Sequence, residues 1–128
     1  MLKGIIMAND FKRFTKPDVG TSTGASADAV YTVPAGAGST ALEAIVIGIT
    51  LANKTTTGIT ASVFLDNYDG SNDVYIVKDA TIPAGSSLEV MSGNKIVVQN
   101  NGTTGDVLRV EASTGTSLDA TITVLEDV

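Results

Sequence analysis

The chain has 128 residues, a formal net charge of −6 and no cysteine or histidine. The missing residue types exclude disulfide bonds, thiol redox chemistry, serine–histidine or cysteine–histidine nucleophile pairs, and zinc sites built from nitrogen and sulfur ligands. Apolar residues make up 43% of the chain, which is enough to bury a core in one domain and which excludes disorder by composition.

The first 28 residues are predicted to form an extended arm. Their second half is rich in Thr, Ser and Gly and has no apolar rhythm. Residues 1–16 contain four cations and one acid, a local charge of +3, whereas the rest of the chain carries −9. A basic arm on an acidic body favours docking on an acidic neighbour through Lys12, Arg13 and Lys16, and a solvated terminus is the competing interpretation. The acidic body repels nucleic acid, so DNA or RNA is not an expected partner.

No segment is predicted to enter a membrane. No stretch approaches the roughly 20 apolar residues of a spanning helix. The apolar start is too short for a signal-peptide core, so we expect no secretion by the standard route. Both Met1 and Met7 fit a natural beginning, and the sequence leaves that choice open.

Residues 29–128 predict a single all-β domain. The run from Leu42 to Asn53 is apolar and rich in β-branched residues, which favours a strand buried on both faces. Because ordinary strands are shorter, we expect a bulge near Gly48. Shorter segments with period-two alternation follow, separated by turns of Gly, Asn, Asp and Thr. With no run at the helical period, we expect about eight strands in a two-layer β-sandwich of jelly-roll or immunoglobulin-like topology.

Two similar turns interrupt these strands. An apolar residue followed by Pro-Ala-Gly occurs at residues 33–36 and again at residues 82–85. Proline fixes φ for a turn and glycine tolerates positive φ. Both motifs therefore predict corners at which the chain passes from one sheet to the other.

The turn between residues 66 and 73 has the densest cluster of acids. Its Asp69-Gly70 pair is a strong signal for a hairpin. Asp66, Asp69 and Asp73 are also the candidate ligands for a hard cation such as Ca²⁺, which prefers oxygen ligands. The alternating acids and closing glutamate of an EF-hand are missing, so a plain hairpin is favoured and no metal or other cofactor is expected.

No catalytic residue is predicted. Glu43, Glu89, Glu111 and Glu126 lie in or beside predicted strands, where we expect solvated faces. Acid–base catalysis needs two such groups held in different environments within a pocket, and the sequence has few aromatic residues to line one. We therefore expect that the chain is not an enzyme.

The order of several strand-and-turn phrases resembles the small β-sandwich structural proteins, decoration or accessory subunits, of tailed bacteriophage virions. The similarity covers residues 29–128, and no catalytic motif comes with it. The phrases that carry it are YTVPAG at 31–36, VIGITLANKT at 46–55, YIVKDA at 75–80, IPAGSSL at 82–88, GDVLRV at 105–110 and VLE at 124–126.

This resemblance implies a virion component assembled in the host cytoplasm. We expect a capsid decoration or cement subunit, and a neck, tail or baseplate component is the alternative within that class. The expected partners are major capsid or tail proteins and further copies of the chain, with a trimer favoured. A module that binds glycans or a host surface is the alternative from a different class, because tyrosine rings can stack on sugars.

Overall fold

The computed structural model of the chain is a two-layer β-sandwich. It describes residues 9–70, 73–91 and 93–127, which form nine strands and a 3₁₀ turn at Gly24–Ser26. No helix within those residues is long and apolar enough to cross a membrane. The strands are β1 (Asn9–Lys16), β2 (Asp28–Thr32), β3 (Leu42–Asn53), β4 (Ile59–Asp66), β5 (Asp73–Ile82), β6 (Ser87–Glu89), β7 (Ile96–Asn100), β8 (Val107–Ala112) and β9 (Leu118–Asp127).

The strands pair in a nested order. β4 and β5 form a central hairpin, which the antiparallel pairs β3–β7, β2–β8 and β1–β9 enclose in turn. Successive pairs fall in alternate sheets. Sheet I has the order β1-β9-β3, with β6 and β7 both along the other side of β3, and sheet II has the order β2-β8-β4-β5. A ribbon rolled up in this way is a jelly roll, so the pairing decides between the two topologies that the sequence left open.

The core lies between the facing sides of the two sheets. In β9, the alternating residues Leu118, Ala120, Ile122 and Val124 are almost completely buried, as their period of two predicts. Each of the larger apolar side chains contributes about 1.5–3 kcal/mol when it is fully buried.

The long strand β3 contains the predicted bulge. Its register with β9 shifts between Val46 and Gly48, which keeps alternate side chains in the core on both sides of the shift. The prediction that both faces are buried was wrong. Ile45 and Ile47 point outward and are half-exposed, because no described element covers the outer face of sheet I.

Both predicted corners are confirmed. Residues 33–36 lie between β2 in sheet II and β3 in sheet I, and residues 82–85 reach from the end of β5 in sheet II toward β6 in sheet I. The hairpin predicted at Asp69-Gly70 joins β4 to β5, and the Gly70 N–H donates to the carbonyl of Asn67 at 2.9 Å.

The segment predicted as an arm belongs to the sandwich from Asn9 onward. β1 pairs with β9 along all eight of its residues. The chain then crosses to sheet II, and Val19 on the way is fully buried and donates its N–H to Leu118 at 2.8 Å. The sandwich therefore begins before residue 29, where the sequence placed its boundary.

Strand β1 is difficult to recognise in the sequence because its apolar and polar residues do not alternate. Phe11 and Phe14 are three residues apart, so they lie on opposite faces of the strand, and charged residues occupy the positions between them. Residues 1–8 of the predicted arm lie outside the described residues.

Candidate assembly surface

Strand β1 is a regular, open edge of sheet I. It pairs with β9 without a register shift, and no described strand pairs with its other side. The other edges differ, because the ladders of β2 and β5 contain register shifts and β6 and β7 have only three and five residues. Bulges and short strands block strand addition, whereas a regular edge is a template for it. Among the described edges, β1 is therefore the best suited to pair with another chain.

The three basic residues of β1 have different surroundings. The Lys12 ammonium lies 2.9 Å from the Glu126 carboxylate. Lys16 is half-buried in a shallow hollow that Asp119 also lines. Arg13 is exposed and forms no ion pair with a described residue. Of the three predicted assembly contacts, Arg13 is thus the best placed to contact a partner, whereas Lys12 already forms an ion pair within the sandwich.

A buried carboxylate connects β1 to sheet II. Glu126 in β9 is 1% exposed, and its Oε2 accepts a hydrogen bond of 2.6 Å from the Tyr31 hydroxyl in β2. Lys12 approaches Oε1 as an ion pair without hydrogen-bond alignment. On the same inner side, the rings of Phe14 and Tyr31 lie 4.6 Å apart. The edge strand is therefore held by a polar contact and an aromatic contact that both reach across the core.

This environment changes two ionisation equilibria. Burial, followed by the hydrogen bond to Glu126, raises the pKa of the Tyr31 phenol well above its ordinary value. The close ion pair with the Glu126 carboxylate raises the pKa of Lys12. Both shifts keep the proton on the group that faces the carboxylate.

Four apolar side chains form a row across the outer face of sheet I. The strand register aligns Phe11 with Leu125, Leu125 with Ile45, and Ile45 with Val97. Phe11 and Val97, at the two ends, are 73% and 56% exposed, and the inner two are half-exposed. Since neighbouring strands are about 4.8 Å apart, the row spans about 14 Å. We call these four residues and Arg13 the β1 face, because a continuous apolar row on an outer face is typical of a docking surface.

The acidic turn uses its aspartates within the fold. Asp66 and Asp73 face each other across the ends of β4 and β5, and Asp66 Oδ2 accepts a hydrogen bond of 3.0 Å from Arg109 Nε. Asp69 lies in the turn and has contacts of its own. Within the described ranges, no group of three or more acidic or other metal-ligating side chains is arranged to hold a metal ion.

Two glutamates that were expected on solvated faces are buried. Glu126 is 1% exposed and Glu111 is 8% exposed, so the expectation was wrong for both. For Glu126 a signal existed, because it continues the alternation of Ile122 and Val124 that marks the core face of β9. The other two candidate glutamates are exposed, as expected.

Comparisons with known proteins return little. No protein-family model matches the chain, and no curated protein matches it. Among solved structures, it is similar to a chain in a structure of the infectious bursal disease virus Gx strain, with 14% sequence identity and a TM-score of 0.41. The match covers 95% of this chain and 36% of the viral chain, so this chain spans little more than a third of that neighbour's length. The assignment of a jelly roll follows from this chain's own strand pairings.

Proposed function

We propose that this chain is a non-enzymatic structural component of a tailed-bacteriophage virion, namely a decoration subunit that docks on the capsid through the β1 face. The observation that carries the proposal is a regular, open edge strand whose outer side presents Phe11, 73% exposed, beside an exposed Arg13. The resemblance of its sequence phrases to small virion proteins of such phages supports this class of particle.

The β1 face offers two kinds of contact. The open edge of β1 has backbone N–H and C=O groups that no described strand satisfies, so an extended segment of a partner can add to sheet I. The apolar row offers burial, and Arg13 favours an acidic surface over a basic one. An acidic capsid segment with an exposed apolar residue meets these requirements.

Copies of the chain also fit each other by charge. Residues 1–16 carry +3 and the remainder carries −9, so the N-terminal segment of one copy is attracted to the acidic body of the next. Such a heterologous contact gives a ring when the rotation between copies closes, and the ring we propose is a trimer, which suits a cement subunit. Light scattering of the free protein measures the mass of this oligomer directly.

Location in the particle is tested on purified virions. We expect gold-labelled antibody over the whole head and, by quantitative mass spectrometry of the same preparation, a copy number on the order of hundreds, since a closed shell repeats one contact many times. Label confined to the neck or tail, with few copies, would support the alternative of a tail component. Particles without label would exclude a virion role.

The docking surface is tested by point variants, because deletion of residues 1–28 would remove β1 and damage the sandwich. The double variant Phe11→Ser with Arg13→Glu should fold normally and lose particle binding. The matched control is Val74→Ser with Lys78→Glu, which alters an exposed apolar residue and a cation on β5 at the edge of sheet II. Equal binding by both variants would exclude the β1 face as the anchor.

A further inference from the structure

Sheet II has a cleft that the β1 face does not use. It has a volume of about 200 Å³. Five residues with a hydroxyl group and two with a carboxylate are among the residues that line it. They are Thr21, Thr23, Thr60, Ser62, Ser113, Asp79 and Glu111. We call it the sheet II cleft.

The walls of the cleft are held by backbone hydrogen bonds. Ser62 and Glu111 are partners in the register of β4 and β8. The N–H of Thr60 donates to Ser113 Oγ at 2.9 Å, and the N–H of Ser113 donates to the carbonyl of Thr60 at 2.9 Å. The sheet therefore sets the positions of the Thr60, Ser62 and Ser113 hydroxyl groups, whereas Thr21 and Thr23 lie in the connection between β1 and β2.

Glu111 is the buried carboxylate of the cleft. It is 8% exposed, its Oε2 accepts one hydrogen bond of 3.2 Å from the Gly24 N–H, and no described cation forms an ion pair with it. A buried carboxylate with so few hydrogen bonds is costly, and a ligand that brings hydroxyl donors would lower that cost.

A cation and an aromatic ring lie next to Asp79, beyond the residues that line the cleft. The Lys78 ammonium lies 3.3 Å from Asp79 Oδ2 and 4.9 Å from the centre of the Tyr75 ring, which is 42% exposed. A divalent cation placed at Asp79 would be repelled by this ammonium. An anionic ligand would be repelled by the two carboxylates. The ligand that fits is therefore a neutral molecule with many hydroxyl groups and an apolar side.

We propose that the sheet II cleft binds one neutral hexose unit of a saccharide. The sugar hydroxyls donate to Glu111 and Asp79 and accept from Lys78, and the exposed part of the Tyr75 ring lies beside the apolar side of the sugar. Pockets for drug-sized ligands measure roughly 300–1,000 Å³, so this volume suits a single sugar unit. Millimolar affinity is expected for a site of this size and openness, and repeated copies on a particle would raise the avidity.

The test is an amide-resolved NMR titration of the free protein. The probes are the methyl glycosides of glucose, galactose and mannose, each added to about 50 mM because the expected Kd is in the millimolar range. We expect at least one probe to shift the amide signals of Gly24, Ser62, Asp79 and Ser113. Glucuronic acid, which carries a negative charge, should shift them less.

Variants assign the binding to the buried carboxylate. Glu111→Gln should weaken the affinity about tenfold, because a charge-assisted hydrogen bond is lost while the shape is kept. The matched control Glu43→Gln changes an exposed carboxylate on sheet I and should leave the affinity unchanged. The proposal is overturned if no probe shifts these amides, if CaCl2 alone shifts them, or if Glu111→Gln binds as tightly as the control.

Discussion

Tyr31 and Glu126 show how two residues far apart in sequence fix an edge strand. The phenol lies in β2 and the carboxylate in β9, and their hydrogen bond of 2.6 Å crosses the core. Burying a carboxylate without hydrogen-bond partners or a counter-ion would cost several kcal/mol of folding free energy. Here the Tyr31 hydroxyl of sheet II donates a hydrogen bond and the Lys12 ammonium of β1 forms an ion pair, so Glu126 makes the placement of β1 depend on both sheets.

The raised pKa of Tyr31 predicts a loss of stability in alkaline solution. The folded protein keeps the phenolic proton, whereas the unfolded chain releases it near the ordinary pKa of 10.0. The contribution of Tyr31 to the free energy of unfolding is therefore fully present below that pH, and it falls by about 1.4 kcal/mol per pH unit above it. The raised pKa of Lys12 acts in the same direction. Urea denaturation from neutral pH upward measures the slope.

Two variants isolate the tyrosine's share of this slope. Tyr31→Phe should be less stable at neutral pH, because Glu126 loses a donor, and should lose stability less steeply in alkaline solution. Tyr75→Phe removes a partly exposed phenol and should keep the wild-type slope. An unchanged slope in Tyr31→Phe would show that the Tyr31 proton is not linked to folding.

At the scale of one strand, the bulge in β5 depends on a single hydroxyl group. Asp79 has φ of 50°, and its N–H donates to the side chain of Ser62 in the neighbouring strand β4, with an N···Oγ distance of 2.8 Å. Ser62→Ala should lower the free energy of unfolding by about 1–3 kcal/mol, because this N–H loses its acceptor. Ser87→Ala, at an exposed position in β6, should change it by less than about 0.5 kcal/mol. Chemical denaturation compares the two, and equal values would exclude this role of Ser62.

The loop between β7 and β8 packs against the first corner through a glycine. A Cβ at Gly105 would overlap the carbonyl oxygen of Val33 and would lie 2.8 Å from Asn100 Nδ2. Gly105→Ala should therefore destabilise the protein by about 3 kcal/mol or more, since backbone must move to admit the methyl group. Gly115→Ala is the matched control, because its Cβ would meet no atom within 4 Å. Thermal unfolding that fails to separate the two variants would contradict this packing.

Strands and corners could be predicted from the sequence because their causes are local. The alternation of β9, the bulge near Gly48 and the two Pro-Ala-Gly corners each depend on neighbouring residues. The pairing of β1 could not be predicted, because its evidence lies about 110 residues away in β9. The partner of Glu126 is hidden for the same reason, since Tyr31 is separated from it by 95 residues.

On the scale of the whole molecule, the nested order of the strands gives the pair of β1 and β9 the largest separation along the sequence. The hairpin β4–β5 closes across a short turn, whereas β1 must find β9 from the opposite end of the chain. The entropy cost of closing a loop grows with its length, so distant pairs form after local ones. The docking of β1 is therefore expected to follow the rate-limiting step of folding.

This order makes a kinetic prediction for Glu126→Gln. The variant removes the charge that Lys12 faces and should lower the free energy of unfolding by about 1–3 kcal/mol. If β1 docks after the transition state, nearly all of this loss appears as faster unfolding, about fivefold for each 1 kcal/mol, with the folding rate unchanged. Val63→Ala, a fully buried change in the central hairpin, should instead slow folding. Stopped-flow chevron plots measure both rates, and slower folding of Glu126→Gln would mean that the edge strand is already paired in the transition state.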